Sequence, residues 1–189
     1  MDKKTGIILG IIILLLVVWN ATKTPSKDST QLTAEERKRV MARVKSLWSK
    51  LIKYYAGLYM LPEKRITAII AQESGGNPNA KGRAGEIGLM QITPGAIADV
   101  DKNLQVNKTI LDIQTMKSKS LWDYLTGDIF ADTRINYFEP AVNLQYGCAY
   151  MSLLKDRFGS LDEATKRYNG TGPAADAYLK SVKEFESQY

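Results

Sequence analysis

Apolar positions recur at spacings of three and four along most of the chain, and no stretch alternates for long enough to make a useful strand. Val40, Val44, Leu47, Trp48, Leu51, Ile52 and Tyr55 share one face of a helix. Ahead of them Thr33 and Glu36 form a capping-box pattern. Glu35 and Glu36 put negative charge in the first turn, at the positive end of the helix dipole. Gly57 reads as the end of this helix. Pro62 opens a second one at the first helical position, where its missing N–H costs nothing, and Ile66, Ile69 and Ile70 make its apolar face. Pro140 starts another, running to Phe158 with Gly159 as its stop, and Ser160 with Glu163 repeats the capping box before the next. No internal repeat is visible. The pattern predicts a mostly α-helical domain over residues 33–189.

One segment breaks the amphipathic pattern. Residues 6–19 are apolar or Gly on every face, inside an uncharged window, residues 5–22, bounded by Lys4 and Lys23. As a helix the window spans about 27 Å, against a hydrocarbon core of ~30 Å. Residues 1–22 therefore read as a single N-terminal transmembrane helix. The rival is a cleaved signal peptide with Lys3 and Lys4 as its charged start. Its only small-residue cleavage site ends at Ala21 and places bulky Trp19 at the −3 position. Trp19 suits the membrane interface instead, and Lys3 and Lys4 favour an N-terminus inside, partly offset by Lys23 and Lys27. Residues 23–32 are a polar tether. Its nine residues 23–31, fully extended, reach roughly 30 Å, which holds the following domain close to the bilayer.

Composition narrows the chemistry. Among 189 residues there is no His and one Cys, Cys148. That excludes an intramolecular disulfide, a His-based zinc site, a Ser-His-Asp triad and a Cys-His dyad. No metal or other cofactor is expected. Lys and Arg number 26 against 20 Asp and Glu, a net +6. This balance favours polyanionic partners without choosing among them. No nucleotide- or nucleic-acid-binding motif accompanies it, so nucleic acid is not expected as a partner. Cationic residues crowd the first helix of the domain, at Arg37, Lys38, Arg39, Arg43, Lys45, Lys50 and Lys53. They read as a solvated face or as a lipid- or glycan-facing patch.

Glu73 stands out among the carboxylates. It follows Ile66, Ile69 and Ile70 by seven, four and three residues, on the apolar face of its helix, and Ser-Gly-Gly-Asn-Pro then ends that helix. Desolvation and the negative helix terminus both favour its protonated form, which is what a general acid needs.

Four motifs surround this position in order. Glu73-Ser74 ends a helix. Gly88-Leu89-Met90-Gln91 follows a loop of small residues. Asn143, Gly147 and Tyr150 lie in FEPAVNLQYGCAYM, and Tyr168-Asn169 lie in RYNGTGP. Together with the run-in LPEKRITAIIAQES they resemble the soluble lytic transglycosylase domain, which shares its fold with goose-type lysozyme. The resemblance covers about residues 58–182.

The resemblance implies a lysozyme-like domain that cuts peptidoglycan between N-acetylmuramic acid and N-acetylglucosamine without water, leaving a 1,6-anhydro sugar. It implies Glu73 as the sole catalytic acid/base. Ser74 and Tyr168 match positions that hydrogen-bond this Glu, and Met90, Gln91 and Asn169 match the glycan cleft. Gly88, Leu89 and Asn143 are read as packing and turn residues, and Cys148 as core filler. The expected protein is then a membrane-anchored transglycosylase. Its partners are peptidoglycan strands, a bilayer entered by residues 5–22, and envelope or virion assembly components left open. The catalytic domain lies on the periplasmic, cell-wall side, or in the membrane or entry apparatus of a phage.

Two departures stand out. About residues 101–135 form an extended or inserted segment between the second and third motifs, and Arg167 and Thr171 flank Tyr168-Asn169. The extra aspartates of goose-type lysozymes fall at Gly82 and Thr93 here, which favours the transglycosylase. The alternatives are a hydrolytic muramidase with Glu86 as base, and a structural component of an envelope-spanning or phage-entry machine.

Overall fold

The computed structural model describes residues 32–104 and 135–189. The anchor and nearly all of the tether, residues 1–31, lie outside the described residues, as do residues 105–134 of the long segment. No helix among the described residues is long and apolar enough to cross a membrane.

Helix α1 (Ala34–Leu58) begins as its sequence dictates. The Thr33 hydroxyl accepts from the Glu36 N–H at 3.2 Å, and the Glu36 carboxylate accepts from the Thr33 N–H at 2.8 Å. It runs one residue past Gly57. Leu61 N–H donates to Ala56 at 2.8 Å, so the turn rather than the glycine closes it. Helix α2 (Glu63–Ser74) starts at Glu63, with Pro62 as its cap in an extended conformation rather than its first residue. Helices α3 (Pro94–Leu104), α4 (Pro140–Phe158), α5 (Leu161–Asn169) and α6 (Pro173–Glu186) follow. The first four residues of the long segment, 101–104, therefore belong to α3. Among the described residues β structure is limited to two isolated bridges, Lys81 with Ile87 and Ile87 with Ile92.

Two helices form the interior. From Arg65 to Ala71 every residue of α2 is buried, against α1 on one side and α6 on the other. In α4 most residues from Val142 to Met151 are buried where the helix meets α1, α3 and α5, and only its last turn, Asp156 to Phe158, is exposed. Cys148 is wholly buried there, and burial pushes its thiol far above the ordinary range, so it fills space rather than reacting.

Arg65 ties this assembly together from the foot of α2. Its guanidinium donates to both Glu186 carboxylate oxygens at 2.8 and 3.0 Å, to Asp162 at 3.0 Å and to the Thr165 hydroxyl at 2.7 Å. Burial opposes the charge, but the bonds to Glu186 and Asp162 outweigh it, and its pKa rises. Lys183 also donates to Asp162. Hydrogen bonds from Lys183 first, and Arg65 next, hold the Asp162 carboxyl below its ordinary value. A carboxylate with a depressed folded-state pKa stabilises the fold fully above its unfolded pKa and stops doing so as pH falls through the folded value. Asp162→Asn should therefore lower the urea midpoint at neutral pH. That difference should shrink below about pH 4, where the unfolded carboxylate also protonates.

Candidate active site

Glu73 is the penultimate residue of α2, half-exposed where the helix opens to solvent. Gly75 ends the helix in the left-handed region, φ 59°, and turns the chain away at once. Trp48 on α1 donates its indole N–H to the Gly76 carbonyl at 3.0 Å and backs this turn from behind.

The other motifs converge on the turn formed by residues 88–91. Ser74 donates its hydroxyl to the Leu89 carbonyl at 2.7 Å, which pins the end of the Glu73 helix to that turn. Asn143, wholly buried on α4, satisfies three backbone groups. Its amide oxygen accepts from the Met90 N–H at 2.8 Å, and its amide nitrogen donates to Ile87 at 2.8 Å and to Tyr137 at 3.0 Å. Tyr168, near the end of α5, donates its hydroxyl to the Met90 carbonyl at 2.8 Å. Met90 is thus held at both its N–H and its carbonyl, by two different helices.

Two glycines are required by this packing. A Cβ on Gly147 would lie 2.9 Å from the Met90 Cβ, so α4 meets the turn only where it has no side chain. Gly88 has φ 75°, and a Cβ there would fall 2.8 Å from the Asn143 amide carbon. Gln91 also sits in the left-handed region, φ 48°. Its amide nitrogen donates to Ala80 at 3.1 Å and Gly88 at 2.9 Å, which locks the loop. The rings of Tyr150 and Tyr168 pack with centroids 5.6 Å apart, so Asn143, Gly147 and Tyr150 each serve this one turn.

A chain with this geometry invites comparison with known proteins. A family model described as the transglycosylase SLT domain matches residues 50–189. The chain belongs to this family. Membrane-bound lytic murein transglycosylase E of Buchnera aphidicola subsp. Acyrthosiphon pisum is 30% identical over 188 residues, covering 94% of this chain and 74% of that protein. Membrane-bound lytic murein transglycosylase C of Histophilus somni is 29% identical over 120 residues, covering 62% of this chain but only 27% of its own length. The fold matches two solved structures, each at 18% identity. One is an inactive mutant of lytic transglycosylase Slt from Pseudomonas aeruginosa, with a TM-score of 0.55 over 76% of this chain and 24% of that one. The other is the 70 kDa soluble lytic transglycosylase from Escherichia coli, with a TM-score of 0.54 over 85% of this chain and 31% of that one. This chain thus spans about a quarter to a third of those structures.

The transglycosylase domain corrects several expected contacts. Ser74 and Tyr168 do not spend their hydroxyl protons on Glu73, because both donate to the backbone of residues 89–90. The Met90 side chain is fully buried and packs against Gly147, so it does not reach a cleft. Asn169 ends α5, half-exposed beside Tyr168. Glu86, the rival base, accepts from the Ala84 N–H at 2.9 Å and folds over Gly82 within its own loop.

The reading of the sequence overlooked Tyr178. Its hydroxyl is buried on α6, close enough to Glu73 for the two to couple, yet it completes no hydrogen bond of standard geometry. Burial first, and the Glu73 charge next, raise the pKa of both Tyr168 and Tyr178 well above the ordinary phenol value. Glu73 therefore lies near two phenols that stay neutral across the working pH range. The signal was present in the spacing of Ala175, Tyr178, Val182 and Phe185, which puts a hydroxyl on the buried face of α6.

Proposed function

We propose that Glu73 is the single acid/base with which this lytic transglycosylase cuts the β-1,4 bond between N-acetylmuramic acid and N-acetylglucosamine in peptidoglycan. The protonated carboxyl gives its proton to the bridging oxygen as the bond from the muramic acid C1 breaks. The resulting carboxylate takes the proton of that sugar's own 6-hydroxyl as its oxygen bonds to C1. The product is a 1,6-anhydro ring, and no water is consumed. An intramolecular nucleophile carries so high an effective molarity that no second carboxylate is needed to activate it.

The observation that carries this reading is the convergence of Ser74, Asn143 and Tyr168 on one turn beside Glu73, in a chain of the transglycosylase SLT family. Gln91, through its amide oxygen, and Asn169 are the residues we assign to glycan contact. Ser74, Met90 and Tyr168 serve the glycan by fixing the turn. We also assign residues 5–22 as a membrane anchor, with the domain facing the cell wall. The relatives' names as membrane-bound enzymes support this.

Digesting purified peptidoglycan in water labelled with heavy oxygen tests the chemistry. The muropeptides should end in anhydro-muramic acid and carry no label. Labelled reducing ends would mean hydrolysis and sink the mechanism.

A further inference from the structure

The outer side of α1 does not look like an ordinary solvated helix face. Such faces interleave acids with bases. Between Arg37 and Pro62 there are seven Lys and Arg residues and no Asp or Glu. Two of the seven are engaged inward, Arg37 with Glu184 and Lys45 with the Tyr189 carbonyl at 3.0 Å. The rest point away from the core formed by Met41, Val44, Ile52 and Ala56. Arg39, Arg43, Leu47, Lys50, Tyr54 and Leu58 follow one another at steps of four, four, three, four and four, a single exposed ridge. Leu47 was expected in the core with Val44 and Trp48. It is instead 54% exposed, with Tyr54 at 63% and Leu58 at 55%. Among the described residues Arg43, Lys50 and Lys53 have no acidic partner.

Large apolar side chains alternating with cations fit an interface that is apolar inside and anionic at its rim. The Leu and Tyr side chains enter, while Lys and Arg stems lie along the surface and place their charges among headgroups. A purely polyanionic partner would use the cations and leave Leu47 and Leu58 in water. The position of the helix points the same way. It begins twelve residues after the uncharged window at residues 5–22 ends, and the eleven residues between reach roughly 40 Å at most. We infer that the outer ridge of α1 lies on the anionic surface of a lipid bilayer and so orients the transglycosylase domain on its membrane. This rests on the reading of residues 5–22 as an anchor in that membrane.

The test uses the full chain in vesicles, with Leu47→Cys carrying an environment-sensitive fluorophore. Cys148 is wholly buried and shielded from the label. A label at exposed Ala98 on α3 is the control. In vesicles of phosphatidylcholine with phosphatidylglycerol, the label at position 47 should shift to the blue and resist a water-soluble quencher, and the label at 98 should not. Phosphatidylcholine alone, or high salt, should abolish the effect. Each basic residue near an anionic leaflet is worth about a 5-fold gain in partitioning, so Arg43→Gln with Lys50→Gln should cut the shielded-to-exposed ratio about 25-fold.

Equal exposure of position 47 in neutral and anionic vesicles overturns the inference. So does shielding that grows with protein density at constant lipid, which would mean a second copy, or shielding on purified peptidoglycan without lipid. Retention of the chain on vesicles after carbonate washing is scored separately. A chain that washes off refutes the anchor at residues 5–22, whereas a retained chain with position 47 in water refutes only the docking.

Discussion

Glu73→Gln should abolish nearly all turnover of peptidoglycan while leaving the fold intact. The amide keeps the shape of the side chain and can still donate a hydrogen bond, but it can neither deliver a proton nor retrieve one. General acid–base catalysis contributes about 10² to 10⁴-fold. Here one carboxyl is assigned both halves of the cycle, so the loss should reach the upper end of that range. Glu73 is half-exposed, and the contacts that close the turn run through Ser74, Asn143 and Tyr168, so the melting temperature should hardly move. Glu86→Gln is the matched control. Its carboxylate is bonded to the Ala84 N–H, so that variant should keep most of its activity. Release of muropeptides by each variant is the measurement. Comparable losses in both variants would point to two-carboxylate hydrolysis.

Four of the six helices among the described residues were legible from punctuation and periodicity, while α3 and α6 were not read from the sequence. Thr33 with Glu36, Ser160 with Glu163, and Gly159 after Phe158 sit at the ends where the caps form. Position along α2 was legible for Glu73 as well, since three isoleucines define the buried face and the Ser-Gly-Gly run defines the end. What could not be read was the destination of each hydroxyl. Ser74 and Tyr168 are both near Glu73, but a hydroxyl has one proton, and two carbonyls of a tight turn had no other donor. Such carbonyls arise from the turn's backbone geometry, which periodicity does not encode. Met90 was misplaced for a related reason. A flexible apolar side chain in the Gly-Leu-Met-Gln motif reads equally as cleft lining or as filler, and only the bare Gly147 opposite decides for filler. Leu47 erred in the opposite direction. Its spacing fits the apolar stripe of α1, but it falls at the stripe's edge, where the neighbouring elements do not cover it.

Asn143→Ala should damage the fold and the site together, because one side chain binds backbone groups of three residues in two separate stretches of chain. Its removal leaves the buried Met90 N–H without its acceptor and the Tyr137 carbonyl without its donor, while the Ile87 carbonyl keeps only its bond from the Ile92 N–H at 3.0 Å. A buried polar group left bare costs about 1–3 kcal/mol. With two groups left bare, and water entering the vacated space to recover part of this for the less enclosed Tyr137 carbonyl, a net loss of about 3 kcal/mol is expected. For a domain of this size that corresponds to a fall in melting temperature of about 6–12 °C. Activity measured well below the new melting temperature should fall too. Met90 loses one of its two anchors, and Gln91, held beside it in a left-handed conformation, loses the geometry that aims its amide oxygen. Asn143→Asp should not rescue the site, since it keeps the acceptor for Met90 but loses both donors and places a carboxylate in a fully buried position. If Asn143→Ala melts lower yet turns over at the parent rate, the turn is a scaffold element only. The assignment of Gln91 to the glycan would then have to be given up.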